Sequence, residues 1–201
     1  MWKEKIAGIL HYFLEKKDIE SMDPWNLYTG SADFSERSRS WQQLFGWTDT
    51  GEKIQGLTIR SFALNWRGLG QLIVLEPGVY TLSAFVESEG LIYFNGRPHN
   101  SFEDGDAVIN IHSARIGVIP EMKRISYTFE VVSGGVAYPR FESSENGLTK
   151  IAGLMLNKGP IALPWNYAKE DLEDRFADIE SQIVGGGFLN LRLQSLYWRG
   201  A

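Results

Sequence analysis

Short strand signals separated by turns occupy the chain from residue 54 to residue 160, and no helix-length apolar period interrupts them. In Val79–Val86 and Arg124–Val132, apolar residues recur at every second position, as in strands that bury one face. Asn95-Gly96 predicts a tight hairpin turn after a strand at Leu91–Phe94. Strand signals at roughly ten-residue spacing are typical of two-layer β domains. The pattern predicts an all-β fold, a jelly-roll-like β-sandwich.

The last strand signal, residues 151–156, predicts where the β domain ends. Ile151, Gly153 and Met155 should face one side, and the apolar residues between them the other, so we expect a strand buried on both faces. Pro164-Trp165 then stops further ladder pairing, because proline has no backbone donor. We therefore predict a structural role for Trp165, as a clasp between the sheet and a following helix.

Two amphipathic helices are predicted to flank the sandwich. Each carries an apolar stripe with the same 4-3-4 spacing. Such stripes either dock on their own domain or form a contact between subunits, and both alternatives stay open. We predict an N-terminal helix at residues 1–22, a β-sandwich module at 23–167, and a helix with an apolar tail at 168–201. The stripes consist of Trp2, Ile6, Ile9 and Phe13, and of Leu172, Phe176, Ile179 and Ile183.

Composition excludes several classes of function. The chain has 201 residues and a net charge of −5, so the totals imply no basic surface for nucleic acid. It contains no cysteine, which excludes a disulfide framework and thiolate metal sites. No stretch approaches the ~20 apolar residues of a membrane span. We expect a protein that is made in a reducing cytoplasm and does not insert into membranes.

Three motifs together resemble the carbohydrate-binding modules of phage tail and baseplate proteins from Gram-positive hosts. They are Asn26–Gly30, Gly78–Val86 and Gly153–Gly159, the last continuing through Pro164-Trp165. The resemblance covers about residues 25 to 171, and Asn157 departs from it by replacing a usual glutamate. It implies a virion protein that acts at the host cell surface, with other virion subunits, a homo-oligomer and host cell-wall polysaccharide as partners.

A sugar site needs flat aromatic faces beside amides or charged groups that bond hydroxyls. Trp66 is the preferred candidate, since Asn65 and Arg67 flank it and a glycine follows, so that burial is not forced. For any single tryptophan, core packing is the alternative. The main candidate set is Trp66, Asn65, Arg67, Tyr93, Trp47 and Tyr138. Trp41 is a further aromatic candidate, and Asn95, Arg97 and Arg140 are polar candidates near these residues in the sequence.

Neither a metal site nor a catalytic pair stands out. The acidic run Glu103–Asp106 lacks the spacing of a calcium loop and is better explained as a solvated hairpin, so we expect no cofactor. The three histidines are scattered, and no spacing singles out two carboxylates for glycan cleavage. The leading hypothesis is a non-catalytic virion component that binds glycans. The alternatives are a virion assembly protein without sugar binding, and a glycan-cleaving enzyme.

Overall fold

A computed structural model describes residues 24–36, 38–99 and 102–185. The predicted N-terminal helix with Trp2, Ile6, Ile9 and Phe13, and the apolar C-terminal tail, lie outside the described residues. Ten strands and one helix occupy the described part. They are β1 (Thr48–Ile54), β2 (Leu57–Phe62), β3 (Gly68–Leu69), β4 (Ile73–Leu75), β5 (Gly78–Asn95), β6 (Val108–Ile109), β7 (Ser113–Ser133), β8 (Gly135–Ala137), β9 (Arg140–Ser143), β10 (Thr149–Lys158) and α1 (Lys169–Gly185).

The strands form one large sheet and one small sheet. The large sheet has the order β1-β2-β10-β5-β7-β6, with β9 pairing the end of β5 and β3 pairing β9, and the small sheet pairs β4 with β8. All strand pairs are antiparallel. The all-β prediction is therefore confirmed.

Strands β5 and β7 form a long antiparallel pair that organises the sheet. Alternate residues of β5 are fully buried in the main core along both halves of the strand, from Leu82 to Phe94. Residues of the small sheet, such as Ile73 and Leu75, belong to the same core, as do Tyr28 and Trp41 from the segment before β1. The core thus lies between the large sheet on one side and the small sheet with this N-terminal segment on the other.

Strand β10 is buried on both faces, as predicted, but its alternation is broken by a bulge. The register with β5 shifts between Ala152 and Met155, and Gly153 has a φ of 56°. Because the bulge adds a residue, Ile151 and Leu154 enter the same core cluster, while Ala152 joins a smaller cluster on the opposite face. The predicted assignment of these residues to faces was wrong after Ala152.

The turn predicted at Asn95-Gly96 is a second correction. Strand β5 ends at Asn95 and its partner β7 begins at Ser113, so a loop replaces the two-residue turn. The tight hairpin lies instead between β1 and β2, where Gln55 and Gly56 have φ values of 51° and 82°. Positive φ at both central residues is what a type I′ turn requires.

The first and last of the family-like motifs meet in the fold. Asn26 is buried, and its amide nitrogen donates to the Ser31 hydroxyl and the Leu154 carbonyl, both at 2.8 Å. Its amide oxygen accepts the N–H groups of Tyr28 and Leu156, both at 3.0 Å. This side chain therefore joins the N-terminal segment to β10 just after the bulge, where the ladder to β5 is irregular.

Helix α1 differs from the predicted amphipathic helix. Its first turn is anchored, because the Asp171 carboxylate accepts the Gly30 N–H at 2.9 Å. Leu172 is half-buried, but Phe176 is 63% exposed, so these two residues of the predicted stripe do not both pack on the sandwich, and the side chains of Ile179 and Ile183 lie outside the described part. A pair of flanking amphipathic helices is thus not supported. No helix in the described part of the chain is both long and apolar enough to cross a membrane.

Candidate functional site

The solvent-facing side of β5 near its end carries the best-organised polar cluster. Ile92 and Phe94 point into the core, so Tyr93 and Asn95 point outward. On β9, Glu142 lies opposite Tyr93, and Arg140 lies opposite Asn95. Residues two apart on a strand are about 7 Å apart. The four side chains therefore form a compact patch on one face of the sheet.

Trp66 lies against this patch from the loop before β3. Its ring centroid is 5.9 Å from that of Tyr93, with 44° between the ring planes, and the side chain is 53% exposed. The Trp66 backbone has a φ of 51° and donates its N–H to the Ser143 carbonyl at 2.6 Å. A non-glycine residue in this region costs of order 1 kcal/mol, so the fold holds the indole outward against a local preference.

Glu142 organises the polar half of the patch. Its side chain is 3% exposed, and its two carboxylate oxygens accept separate hydrogen bonds, from the Asn95 amide and from Arg140 Nε, both at 2.8 Å. The Asn95 amide oxygen in turn accepts the Arg97 N–H at 3.0 Å. The carboxylate is thus fully engaged in holding an amide and a guanidinium at the surface.

A polar pocket of about 230 Å³ opens beside these residues. Gln43 forms part of its wall, with a φ of 60° and a side-chain oxygen that accepts the Gly68 N–H at 3.3 Å. The guanidinium of Arg140 lies 4.2 Å from the centroid of the Tyr138 ring and covers it. The lining consists of Gln43, Asn95, Arg97, Pro98, His99, Tyr138 and Arg140.

Of the predicted sugar-binding residues, the structure brings Trp66 and Tyr93 together at the surface. Asn65 and Arg67 are exposed on either side of Trp66, and the Asn65 backbone N–H donates to the Asn146 side chain at 3.1 Å. The aromatic pair lies beside the Asn95 and Arg140 side chains. An apolar surface is thus placed next to hydrogen-bonding groups. We call this surface, comprising Trp66, Tyr93, Asn95, Arg140 and the polar pocket, the outer patch.

The structure does not support Trp47 and Tyr138 as sugar-binding residues, because neither offers a free ring face. Trp47 is 5% exposed and stacks on Phe62 with centroids 5.6 Å apart. Tyr138 is also 5% exposed, and its hydroxyl donates to the Gly68 carbonyl at 2.8 Å. Burial raises the pKa of the Tyr138 hydroxyl well above its usual range, so it stays a neutral donor. Trp47 is a core residue, and Tyr138 forms a buried wall of the polar pocket beneath Arg140.

Sequence reasoning missed Gln43 and Glu142 as members of the site. Gln43 lies in the irregular segment before β1, where no periodicity indicates which side chains meet the sheet. A signal for Glu142 did exist, since Arg140 and Glu142 are two residues apart in a strand and must share a face. Oppositely charged neighbours on one face of a predicted strand are a useful indicator of such a network.

A second pocket of about 240 Å³ lies between the N-terminal segment and α1. Asp171 is 2% exposed and bonds the Gly30 backbone, and Arg175 covers the Tyr167 ring with 4.7 Å to its centroid. Trp165 is nearby, with its indole N–H donating to Ser31 at 3.1 Å. These side chains connect parts of the chain to one another, which fits the predicted structural role of Trp165.

The acidic run near the polar pocket forms a self-contained turn. The Glu103 N–H donates to the Asp106 carboxylate at 3.0 Å, and His99 lies 3.6 Å from Glu103 and 3.7 Å from Asp106. Among residues 24–36, 38–99 and 102–185, no group of three or more His, Cys, Asp or Glu side chains could hold a metal ion. The turn is thus organised by its own hydrogen bond and by His99.

No family model and no curated protein matches the chain. Solved structures with a similar fold include the CBM22-1 xylan-binding domain of Paenibacillus barcinonensis Xyn10C, with 14% identity, a TM-score of 0.45, and 61% of this chain and 87% of that one covered. A second is TmCBM61 in complex with β-1,4-galactotriose, with 14% identity, a TM-score of 0.42, and coverage of 66% and 98%.

A third similar structure is the enzymatically active domain of tailspike protein 4 from bacteriophage CBA120. It has 14% identity and a TM-score of 0.43, and the match covers 67% of this chain and 22% of that one. At such low identities and TM-scores, these likenesses say nothing about which ligand this chain binds.

Proposed function

We propose that this chain is a non-catalytic glycan-binding module and that the outer patch is its binding site. The observation that carries the proposal is the exposed Trp66–Tyr93 pair next to the amide and guanidinium held by Glu142. Aromatic faces take the apolar side of a pyranose ring, while fixed donors and acceptors bond its hydroxyls. The arrangement offers both within about 7 Å.

Cleavage of the glycan is the less favoured function at this site. A glycosidase needs two carboxyl groups on either side of the scissile bond, one of them free to protonate the leaving oxygen. Glu142 is buried, and both of its oxygens accept hydrogen bonds from Asn95 and Arg140. Glu87 is on another part of the sheet, where it pairs with Lys150 at 3.3 Å. The outer patch thus suits binding rather than acid catalysis.

The proposed setting is a virion, where the module attaches to host cell-wall polysaccharide as one subunit of an oligomer. Its support is the sequence resemblance of the Asn26–Gly30, Gly78–Val86 and Gly153–Gly159 motifs to modules of phage tail and baseplate proteins. Single sites of this kind bind weakly, and repetition in an assembly raises the apparent affinity. A role in docking without sugar binding is the second candidate, favoured by Phe176, which is 63% exposed on α1.

A glycan array tests the proposed function. The wild-type chain should bind a subset of glycans, and Trp66→Ala and Tyr93→Ala should lower the affinity about tenfold or more, since truncation of an aromatic anchor costs more than about 1 kcal/mol. Phe176→Ala serves as the matched control, because it removes an exposed aromatic ring far along the chain from the patch. Unchanged binding by the folded Trp66→Ala and Tyr93→Ala variants would contradict the proposed site.

A further inference from the structure

Positive charge is concentrated around the polar pocket. Arg97 and Arg140 line it. Arg67 directly precedes Gly68, whose carbonyl accepts the Tyr138 hydroxyl. Burial raises the pKa of that hydroxyl and Glu142 adds to the effect, while the positive charges of Arg140 and Arg67 oppose it, as expected if both guanidinium groups are near the ring. Two arginines therefore line the pocket, and the charge of a third, Arg67, acts on its Tyr138 wall.

Arg140 is held in place in a way that leaves donors available. Its Nε bonds Glu142 at 2.8 Å, and its Nη1 donates to the carbonyls of Arg97 and Tyr138 at 2.9 and 3.1 Å. Within the described part of the chain, its Nη2 has no hydrogen-bond acceptor. A guanidinium that is already ordered loses little conformational entropy when a planar anion or phosphate binds it.

Carboxylates neutralise this charge only in part, at Arg140. Glu142 is matched by Arg140 alone, and Glu103 and Asp106 face His99 without lining the pocket. Among the described residues, Arg97 and Arg67 form no ion pair. Arg97 therefore brings a positive charge to the pocket that no ion pair within the described part of the chain balances, and a bound anion would balance it.

His112 is near enough to Arg97 to be affected by its charge. His112 lines a small cavity together with Arg97 and with the acidic residue Asp106. Burial lowers the pKa of His112, and the positive charge of Arg97 lowers it further. This effect agrees with a positive potential on the Arg97 side of the pocket.

We infer that the polar pocket binds an anionic substituent, a carboxylate or a phosphate, of a glycan whose adjoining ring stacks on Trp66 and Tyr93. The inference rests on the proposed function and adds the class of glycan. Arg140 and Arg97 take the anion, Asn95 bonds a hydroxyl, and the aromatic pair lies one strand repeat away, about 7 Å along β5. Arginine forks suit both carboxylate and phosphate geometry.

The first experiment uses small anions with the full chain. Inorganic phosphate or acetate is titrated to about 20 mM, in the weak range expected for an isolated anion, while backbone amide signals are followed by NMR. The signals of Arg97 and Arg140 should shift and saturate, and Arg97→Gln and Arg67→Gln should weaken the response at least threefold. Lys53→Gln, which removes one charge from β1, should leave it unchanged.

The two anions distinguish the source of the charge. Tighter binding of phosphate indicates a phosphorylated glycan, and tighter binding of acetate indicates a uronic acid. The absence of a saturable shift at Arg97 and Arg140, or equal shifts in wild type and Arg97→Gln, overturns the inference. Arg97 and Arg67 are exposed, so their glutamine variants should fold even if a change at Arg140 does not.

A glycan array with neutral, uronate-bearing and phosphorylated members separates failure of this inference from failure of the proposed function. Preferential binding of charged members, lowered about tenfold by Arg97→Gln, supports the inference. Equal binding of neutral members, still dependent on Trp66, overturns the inference and keeps the proposed function. Glycan binding that is independent of Trp66, or no binding at all, overturns both.

Discussion

Two polar networks in this molecule are each built around an asparagine side chain but have different roles. At the junction between the N-terminal segment and β10, Asn26 directs all four of its hydrogen bonds to the chain itself, and Ser31 and Trp165 close over it. At the outer patch, Asn95 and Arg140 are fixed by Glu142 but still line an open pocket.

The difference lies in where the remaining hydrogen-bonding capacity is directed. A buried network with every group satisfied internally contributes stability and a unique register. A network that is satisfied only on its inner side keeps side chains rigid while leaving donors for a ligand. The junction should therefore respond to mutation through stability, and the outer patch through binding.

Asn26→Ala should have the largest effect. It removes four hydrogen bonds and leaves the Leu154 carbonyl and the N–H groups of Tyr28 and Leu156 buried without this partner. We expect the free energy of unfolding to fall by about 3 kcal/mol or more, measured by urea denaturation. Asn110→Ala is the matched control, since its side chain accepts a single exposed N–H, that of Glu130. Equal losses in both variants would contradict the role of the junction.

Gly153→Ala should have the second largest effect on stability, because other side chains lie close to the bulge in β10. A Cβ at Gly153 would lie 2.5 Å from Leu57 Cδ1 and 3.3 Å from Trp165 Cδ1, in a residue with a φ of 56°. We expect a loss of about 2–3 kcal/mol in unfolding free energy. Gly56→Ala isolates the cost of positive φ, since no atom lies within 4 Å of its Cβ position, and should lose only about 1 kcal/mol. Equal losses would show that the contacts at the bulge do not matter.

Asn95→Ala should lower glycan affinity more than stability, whereas Asn26→Ala should mainly lower stability. It removes the bonds to Glu142 and to the Arg97 backbone, which position the pocket. We expect about a fivefold loss of glycan affinity by calorimetric titration, with the unfolding free energy lowered by only about 1 kcal/mol. Asn110→Ala again provides the control and should leave affinity unchanged. A stability loss as large as that of Asn26→Ala would remove the distinction between the two networks.

The smallest expected effect concerns pH. Burial and then Arg97 lower the pKa of His112 in the folded protein, so the unfolded chain binds a proton more readily. The resulting stability is present above about pH 6.5 and decreases as pH falls toward the folded-state pKa. The drop in Tm between about pH 8 and pH 5 should be smaller in His112→Asn, and also smaller in Arg97→Gln. A larger drop in either variant would contradict the stated cause.

Local pattern was enough to predict the all-β class and several strands. The alternation in Val79–Val86 and the apolar stretch of β10 follow from the burial of these strands in the core. That burial does not depend on which residues the strands pair with. The Gly153 bulge escaped prediction because a positive φ in a strand depends on the fit of Leu57 and Trp165 to that position. Asn95-Gly96 matched a hairpin signal, but Asn95 is used instead to bond Glu142.

The aromatic half of the candidate site was predicted, and so were Asn95, Arg97 and Arg140 as polar neighbours, but Glu142 and Gln43 were not. Trp66 and Tyr93 could be singled out from their polar settings, and the structure places their rings 5.9 Å apart. In the sequence, Trp47 and Tyr138 looked equivalent to Trp66 and Tyr93 as aromatic candidates. Their burial depends on long-range packing, which the neighbouring residues in the sequence do not reveal. Gln43 comes from a distant segment, so only the folded chain brings it to the pocket, whereas the spacing of Arg140 and Glu142 was a local signal that could have been used.

The most direct test follows the tryptophan indole N–H signals by NMR while a glycan identified on the array is added to the full chain. Binding at the outer patch predicts a saturable shift of the Trp66 signal, with the Trp47 and Trp165 signals unmoved. The indole of Trp165 donates to Ser31 and that of Trp47 lies in the core, so neither should sense a ligand. A saturable shift of Trp165 with Trp66 unmoved would contradict the proposed site and place binding at the junction.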